Sequence, residues 1–218
     1  MRDNGRMSEE LEKADAPKKV VDDDRRWNYS IHYQRRVVDL IPESARTAID
    51  VGCGEGMFAR ELASRHLAVT AIDEDGPTLE RALAQDTTGI DYLEGDFLTH
   101  DLTLEGYDVV SAIAVLHHVD IAVGLERLKA LVAPGGVVLV VGASKGTMKT
   151  MPKEIGASFA DKAQRLWRGW WDHGTPSAWP PPHTFDEVRD AAVEILPGCE
   201  IKNHLLYRYT LTWSKPEA

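Results

Sequence analysis

A glycine-rich run is the part of this sequence that most clearly suggests chemistry. Residues 48–63 read AIDVGCGEGMFARELA, so an apolar run leads through Gly52, Cys53, Gly54 and Gly56 into an amphipathic stretch. Glycine lets the backbone turn tightly and approach a ligand closely, and the first turn of a helix offers free N–H groups to an electronegative atom. The run therefore predicts a strand, a loop and a helix that bind a nucleotide-like ligand.

The glycine spacing argues against a dinucleotide. The dinucleotide fingerprint would require glycine at positions 52, 54 and 57, but position 57 is Met. The spacing found is G-x-G-x-G, with Asp50 two residues before the first glycine. A nicotinamide oxidoreductase is therefore the weaker interpretation of this loop.

Acidic residues follow the next two apolar runs. AVTAIDEDGPTLERA ends its predicted strand on Asp73, and Glu74 comes next. A carboxylate in this position can accept hydrogen bonds from both ribose hydroxyls of a nucleoside. YLEGDFLTHDL places Asp96 and Phe97 just beyond the following strand.

Together these motifs resemble those of the class I S-adenosylmethionine (SAM)-dependent methyltransferases. DVGCGEG is similar to their first motif, LVAPGG before the fifth strand also matches, and the likeness spans about residues 46–142. The resemblance implies SAM as cofactor, with Asp73 at the ribose, Asp96 at the adenine amino group and Phe97 beside the ring. The cofactor contacts expected from it in this part of the chain are Asp50, Gly52, Cys53, Gly54, Gly56, Asp73, Glu74, Asp96, Phe97 and Ile113.

An aromatic group precedes the first strand. In the family this segment often folds over the cofactor, so the resemblance implies that Tyr29 or Tyr33 touches the methionine end of SAM, and both are candidate cofactor residues. Trp27 and His32 are candidates for contact with the acceptor. The alternative is that all four residues simply pack in a core.

Two histidines follow the fourth strand, in SAIAVLHHVD. Open α/β sheets bind ligands beyond the carboxyl ends of their strands, and a histidine there could take the acceptor's proton near neutral pH. His118 and His117 are therefore the candidate catalytic residues, although the pair could instead begin the next helix and pack on the sheet. Some relatives carry a metal-binding E-x-x-E-H pattern here, but Ala114 and His117 replace both carboxylates, so we expect no metal.

Short β-branched runs alternate with amphipathic stretches along most of the chain, a pattern typical of βαβ units. We expect strands at 47–51, 68–73, 90–95, 107–114, 136–144, 199–206 and 207–213, and helices near 31–41, 56–66, 76–85, 122–132 and 184–197. The predicted fold is a Rossmann-like, doubly wound α/β sheet with helices on both faces. The resemblance implies seven strands, of which the last is antiparallel.

The segment at 145–182 interrupts this alternation and is predicted to be an insertion after strand five that forms a lid over the acceptor. Trp171, His173, Trp179 and His183 are candidates to line the acceptor pocket, or else belong to a small separate core. Residues 1–24 are polar and charged without a periodic apolar face, which predicts a disordered tail before a single domain at 25–218.

Composition limits the possible functions. The chain has 218 residues, 43% of them hydrophobic, and a net charge of −10, so a nucleic acid would meet net repulsion. With two cysteines and no apolar run of about 18 residues, we expect a cytoplasmic protein that does not bind membranes. We further expect a monomer or homodimer.

The resulting hypothesis is a SAM-dependent methyltransferase acting on an oxygen or nitrogen atom of a small-molecule metabolite. Two alternatives are a SAM-binding protein without transferase activity and a methyltransferase acting on a protein or RNA.

Overall fold

The computed structural model describes residues 27–147 and 180–217. The predicted tail, most of the predicted lid, and the candidate residues Trp171, His173 and Trp179 lie outside these ranges.

Seven strands in the described part of the chain form one sheet. They are β1 (Thr47–Val51), β2 (Ala68–Asp73), β3 (Ile90–Glu94), β4 (Tyr107–Ile113), β5 (Val132–Ala143), β6 (Glu200–Asn203) and β7 (Arg208–Ser214). Their order is β3-β2-β1-β4-β5-β7-β6. Strands β1 to β5 pair in parallel, whereas β7 runs antiparallel to both β5 and β6. The predicted seven-stranded sheet with an antiparallel last strand is confirmed.

Helices cover both faces of this sheet. They are α1 (Tyr29–Val38), α2 (Met57–Ser64), α3 (Gly76–Leu83), α4 (Ile121–Leu131) and α5 (Phe185–Ile195). The strands in the middle of the sheet read as continuous β-branched runs because they are buried on both faces, so two hydrophobic cores form. One core lies beneath α4 and α5, and the other beneath α1 and α2.

Several predicted boundaries differ from the structure. Strand β5 begins at Val132, so Pro134 and Gly135 lie within it rather than in a separate turn, and its pairing with β4 shifts register at this point. Strand β6 ends at Asn203, because Leu206 and Tyr207 adopt positive φ angles and form the turn into β7. The helix ends differ from the predicted bounds by up to three residues. Helix α1 begins two residues earlier and ends three residues earlier, α4 is shifted by one residue, and α2, α3 and α5 are shorter.

Helix α1 lies against β5 and β7, across the sheet face that also carries α2. Asn28 caps its first turn by accepting a hydrogen bond from the Ile31 N–H at 2.9 Å. This cap places the start of α1 at the carboxyl edge of the parallel strands.

Within residues 27–147 and 180–217, no helix is both long enough and apolar enough to span a membrane.

Candidate functional site

A cavity of about 300 Å³ opens at the carboxyl edge of the sheet. The loops after β1, β2, β3 and β4 form most of its wall, and α1 completes it. Nine of the predicted cofactor residues line it, namely Asp50, Gly52, Cys53, Gly54, Asp73, Glu74, Asp96, Phe97 and Ile113. The structure thus brings together residues that are up to 63 positions apart in the sequence, from 50 to 113.

One position of the glycine loop leaves room for a ligand to approach the backbone closely. Gly52 and Gly54 both have positive φ angles, of 62° and 56°. A Cβ on Gly52 would lie 2.4 Å from Val115 Cγ2, whereas a Cβ on Gly54 would meet no atom within 4 Å. Since Gly54 lines the cavity, the space that its side chain would occupy is left open for a ligand.

Gly56 has a different role. It is not part of the cavity wall, and a Cβ there would lie 2.1 Å from the Tyr92 hydroxyl oxygen. Gly56 has a φ of 74° and is the residue that precedes the first turn of α2, so the first N–H groups of this helix come directly after the loop. Gly56 therefore shapes the loop by packing, and the structure does not place it where the sequence predicted a cofactor contact.

Asp73 connects the end of β2 to the glycine loop. Its Oδ2 accepts a hydrogen bond from the Gly54 N–H at 2.8 Å, and its Oδ1 accepts one from the Asp75 N–H at 3.0 Å. A carboxylate has about four acceptor positions, so two remain available toward the cavity. The residue both holds the loop in place and keeps the capacity to accept two hydroxyl groups.

Asp50 is buried at the end of β1, beneath this loop. Its Oδ1 accepts a hydrogen bond from Ser111 Oγ at 2.7 Å. Burial raises the pKa of Asp50 to about 7, the nearby charge of Asp73 adds to the increase, and the hydrogen bonds from Ser111 and the Ala59 N–H oppose it. A cationic group of a ligand would therefore favour the ionised form of Asp50.

Cys53 is not an exposed nucleophile. Its side chain is buried, and burial together with the charges of Asp50 and Asp73 holds the pKa of the thiol well above its ordinary value. A protonated thiol is a poor nucleophile, so Cys53 contributes shape and apolar surface to the cavity.

The sequence analysis missed an ion pair that holds the loop to α3. Glu55 lines the cavity, and its Oε1 accepts a hydrogen bond from Arg81 Nε at 2.9 Å. Asp75, which also lines the cavity, accepts a hydrogen bond from the Thr78 hydroxyl, and Arg81 Nη2 donates to the same hydroxyl oxygen at 2.8 Å. The sequence did offer a signal for Glu55, because it is an acidic residue within the glycine-rich run.

The loop after β3 brings Asp96 and Phe97 to the cavity. Asp96 Oδ1 accepts a hydrogen bond from the Leu98 N–H at 2.9 Å, and the ring of Phe97 is buried. Arg127 on α4 donates to the carbonyl oxygens of Phe97 and His100, at 2.9 and 2.7 Å. This arginine fixes the loop from behind, an arrangement that no local sequence signal indicated.

His118 and His117 follow β4, and only His118 lines the cavity. The rings are neighbours, with centroids 4.2 Å apart. Desolvation lowers the pKa of His118, and the charges of Glu74 and Asp73 partly offset this. The His118 ring is therefore largely neutral at pH 7, and a neutral imidazole can accept a proton.

Helix α1 faces the cavity with residues other than the predicted ones. Asn28, Ser30, Ile31 and Gln34 line the cavity, whereas Tyr29 and Tyr33 lie on another side of the helix. The Tyr33 ring stacks on His204 with centroids 4.5 Å apart, and Trp27 packs edge-on against Tyr29. His32 contacts Tyr33 edge-on.

Ser30 and Gln34 are polar side chains with little solvent exposure, 9% and 7%. No hydrogen bond joins either side chain to another described residue. Buried polar groups are normally paired, so these two side chains are suited to a ligand in the cavity. Their i, i+4 spacing on a helix was a signal that the sequence analysis did not use.

His183 lies at the same edge of the molecule but outside the cavity wall, and its carbonyl oxygen accepts a hydrogen bond from the Lys145 N–H at 2.6 Å. In the described part of the chain, no three His, Cys, Asp or Glu side chains are grouped so as to hold a metal ion.

The donors and acceptors of the cavity fit a nucleoside that carries a cationic centre. Carboxylates suit hydroxyl and amino groups, Phe97 offers an apolar surface for a flat ring, and Gly54 leaves room for close approach. The residues that would hold SAM are the nine predicted ones above, together with Ser30 and Gln34.

Comparison with known sequences agrees with this geometry. A family model described as a methyltransferase domain matches residues 49–140. Uncharacterized methyltransferases of Mycobacterium bovis and Mycobacterium tuberculosis are 36% identical over 195 residues, which cover 88% of this chain and 99% of theirs. A ubiquinone biosynthesis O-methyltransferase of Azotobacter vinelandii is 33% identical over 131 residues, 56% of each chain.

Solved structures share the fold at low sequence identity. Phosphoethanolamine N-methyltransferase 2 of Haemonchus contortus, in complex with phosphomonomethylethanolamine and S-adenosylhomocysteine, has a TM-score of 0.60 at 16% identity, over 88% of this chain and 53% of that one. A SAM-dependent methyltransferase of Mesorhizobium loti has a TM-score of 0.57 at 18% identity, over 84% and 97%. This chain thus spans about half of the first protein and nearly all of the second.

Proposed function

Because the chain belongs to the class I SAM-dependent methyltransferases and SAM is its cofactor, we propose that it methylates an oxygen or nitrogen atom of a small-molecule acceptor. The observation that carries this proposal is the position of His118, a largely neutral imidazole at the wall of the cofactor cavity.

SAM supplies a methyl group on a sulfonium, which is already a strong electrophile. The protein therefore needs chiefly to align the acceptor and to exclude competing water. Ser30, Gln34, the residues after β1 and the residues Asp73, Asp96 and Phe97 all line the cavity. These groups would fix the donor so that its reactive side faces the loop after β4.

In this arrangement His118 holds the acceptor and takes its proton. An acceptor hydroxyl loses its proton as its oxygen attacks the methyl group, whereas an ammonium group must lose a proton before its nitrogen can attack. A neutral histidine ring nitrogen can accept either proton at pH 7. The ring of His117 packs beside His118, so His117 acts as a positioning residue.

The names of related proteins support a small acceptor. The Azotobacter relative is named for O-methylation in ubiquinone biosynthesis, and the Haemonchus structure contains phosphomonomethylethanolamine. The net charge of −10 also disfavours RNA as the acceptor.

Two experiments test the proposal. Calorimetry with SAM, S-adenosylhomocysteine and NAD should show binding of the first two only. Incubation of the protein with labelled SAM and a metabolite extract, compared with a protein extract and with RNA, should transfer label to a small molecule. Binding without transfer to any fraction would favour a SAM-binding protein without transferase activity, and label on protein or RNA would favour a macromolecular acceptor.

A further inference from the structure

A partly buried arginine at the carboxyl edge of the sheet does not line the cofactor cavity. Arg208 is the first residue of β7, and its Nε–H is buried without a hydrogen-bond acceptor among the described residues. Tyr33 is the ionisable group that acts on it, and no described carboxylate pairs with it. Desolvation lowers the pKa of Arg208, but an arginine remains charged in proteins.

A buried cation without a counter-charge costs stability, because its lost hydration is not replaced. Proteins usually lack buried cations or pair them with a negatively charged group. Arginine also presents several N–H donors in a fixed planar arrangement that matches a carboxylate or phosphate. An arginine without a charged partner among residues 27–147 and 180–217 is therefore suited to bind an external anion.

The position of Arg208 relates it to the acceptor side of the site. Arg208 pairs with Ala143 at the end of β5, and two residues earlier Val141 pairs with Ile113 at the end of β4. Neighbouring strands lie about 4.8 Å apart, so β7 is about 10 Å from β4 across the sheet. That distance is within the length of a small metabolite that reaches the loop carrying His118.

Charge is distributed unevenly along this edge. The part of the cavity formed after β1, β2 and β3 contributes acids, among them Asp50, Asp73 and Asp96. The edge at β5 and β7 carries the cations Lys145 and Arg208. Glu187 is already engaged in a capping box with Thr184, whose hydrogen bonds lower the pKa of Glu187, and the charges of His183 and Lys145 add to this decrease.

From this arrangement, and resting on the proposed function, we propose that Arg208 binds an anionic group, a carboxylate or a phosphate, of the methyl acceptor. The acceptor is then a small molecule with its nucleophilic atom near the loop after β4 and a negative charge on the β7 side of the site. Arg208 selects the substrate, whereas the acids of the cavity hold the donor.

The test compares benzoate, phenyl phosphate and the neutral benzamide as probes. Calorimetry is performed on the full chain saturated with S-adenosylhomocysteine. We expect benzoate or phenyl phosphate to bind at least tenfold more tightly than benzamide, and the tighter of the two anions identifies the carboxylate or phosphate preference. Equal binding of all three probes would overturn the inference.

Arg208→Met should abolish the preference for the anion, and Arg208→Lys should keep part of it. The matched control is Arg189→Met, because Arg189 is an exposed arginine that pairs with Asp186 and Asp190 on α5. Its removal should leave the preference unchanged. If Arg208→Met retains the preference, Arg208 is not the anion ligand.

The unfolding midpoint of the unliganded protein gives a second readout. Arg208→Met should raise the midpoint, because the substitution removes an unpaired buried charge. A lower midpoint would show that the guanidinium is already compensated within the fold, and would contradict the inference. Binding of S-adenosylhomocysteine should be unchanged in every variant; if the wild-type protein does not bind it, the proposed function fails instead.

Discussion

At the scale of single residues, Asp73 combines two tasks that the sequence analysis treated as one. Its carboxylate accepts the Gly54 N–H at 2.8 Å and also faces the cavity. Asp73→Ala should therefore weaken SAM binding more than loss of the two ribose hydrogen bonds alone, each of which contributes about 1.5–3 kcal/mol. We expect an increase in Kd of about 100-fold or more by calorimetry, since about 1.4 kcal/mol corresponds to a factor of ten. Asp91→Ala, which removes an exposed acid on β3, should leave the Kd unchanged.

Gly54 offers a test with a matched control elsewhere in the chain. Gly54 and Gly198 both have positive φ angles, 56° and 85°, and neither would bring an added Cβ within 4 Å of another atom. Gly54→Ala and Gly198→Ala should therefore have similar backbone costs, of about 1 kcal/mol. Only Gly54→Ala should impair SAM binding, because its Cβ would enter the cavity. If both variants bind SAM normally, the cofactor lies elsewhere.

The protonation of His118 predicts how turnover depends on pH. Its pKa is lowered by desolvation, so the neutral form that accepts a proton predominates at a lower pH than for an ordinary histidine. Turnover should rise with pH as the ring loses its proton below about 6.5 and should then level off. His118→Ala should lower turnover about 100-fold and flatten this rise, while the Kd for SAM changes by no more than a few fold.

The matched variant is His117→Ala, which removes a ring that packs beside His118 but does not line the cavity. It should lower the unfolding midpoint or modestly reduce turnover, and its pH profile should keep the rise. If His117→Ala lost the pH-dependent rise in turnover and His118→Ala kept it, proton transfer would be assigned to His117.

At the scale of elements, α1 covers the site with one of its sides. Its apolar side, with Val37 and Val38, packs on the sheet, and Ser30 and Gln34 face the cavity. Gln34→Leu should raise the Kd for SAM about fivefold or more, because the carboxamide would no longer pair with the ligand. The unliganded protein should be as stable as the wild type or more so, since a buried polar group without a partner is removed. A lower unfolding midpoint with an unchanged Kd would show that Gln34 stabilises only the helix.

At the scale of the whole molecule, Asp50 links stability to pH. The folded protein holds its pKa at about 7, against an ordinary value of 3.8, so between these values the folded state binds a proton that the unfolded state has released. The contribution of Asp50 to folding stability is therefore fully present below about pH 4 and is lost as pH rises through 7. The contribution of Asp50 to the free energy of unfolding should fall by a few kcal/mol over this pH range, since one pKa unit corresponds to about 1.4 kcal/mol.

Asp50→Asn should remove this dependence, because an amide does not titrate. Measured as unfolding midpoints of the unliganded proteins from pH 5 to 8, the wild type should lose stability relative to the variant as pH rises. If the unfolding midpoints of the wild type and the variant changed in parallel with pH, Asp50 would be ionised over the whole range from pH 5 to 8.

The sequence by itself determined the parts of this protein that depend on local pattern. Glycines at 52, 54 and 56 require a tight loop, and β-branched runs followed by acids place Asp73 and Asp96 at strand ends, whatever the distant contacts are. For the same reason the α/β class and nine of the residues that line the cavity followed from motifs alone.

Only the tertiary structure decided which side of each element meets the cavity. The apolar pattern of α1 shows that it is buried, but not whether Tyr33 or Gln34 points to the ligand, because both are buried. The pairing of Asp73 with Gly54, the raised pKa of Asp50 and the unpaired state of Arg208 within the described chain depend on atoms brought together from distant positions. Desolvation and hydrogen bonding arise from that assembly, so no local pattern could predict them.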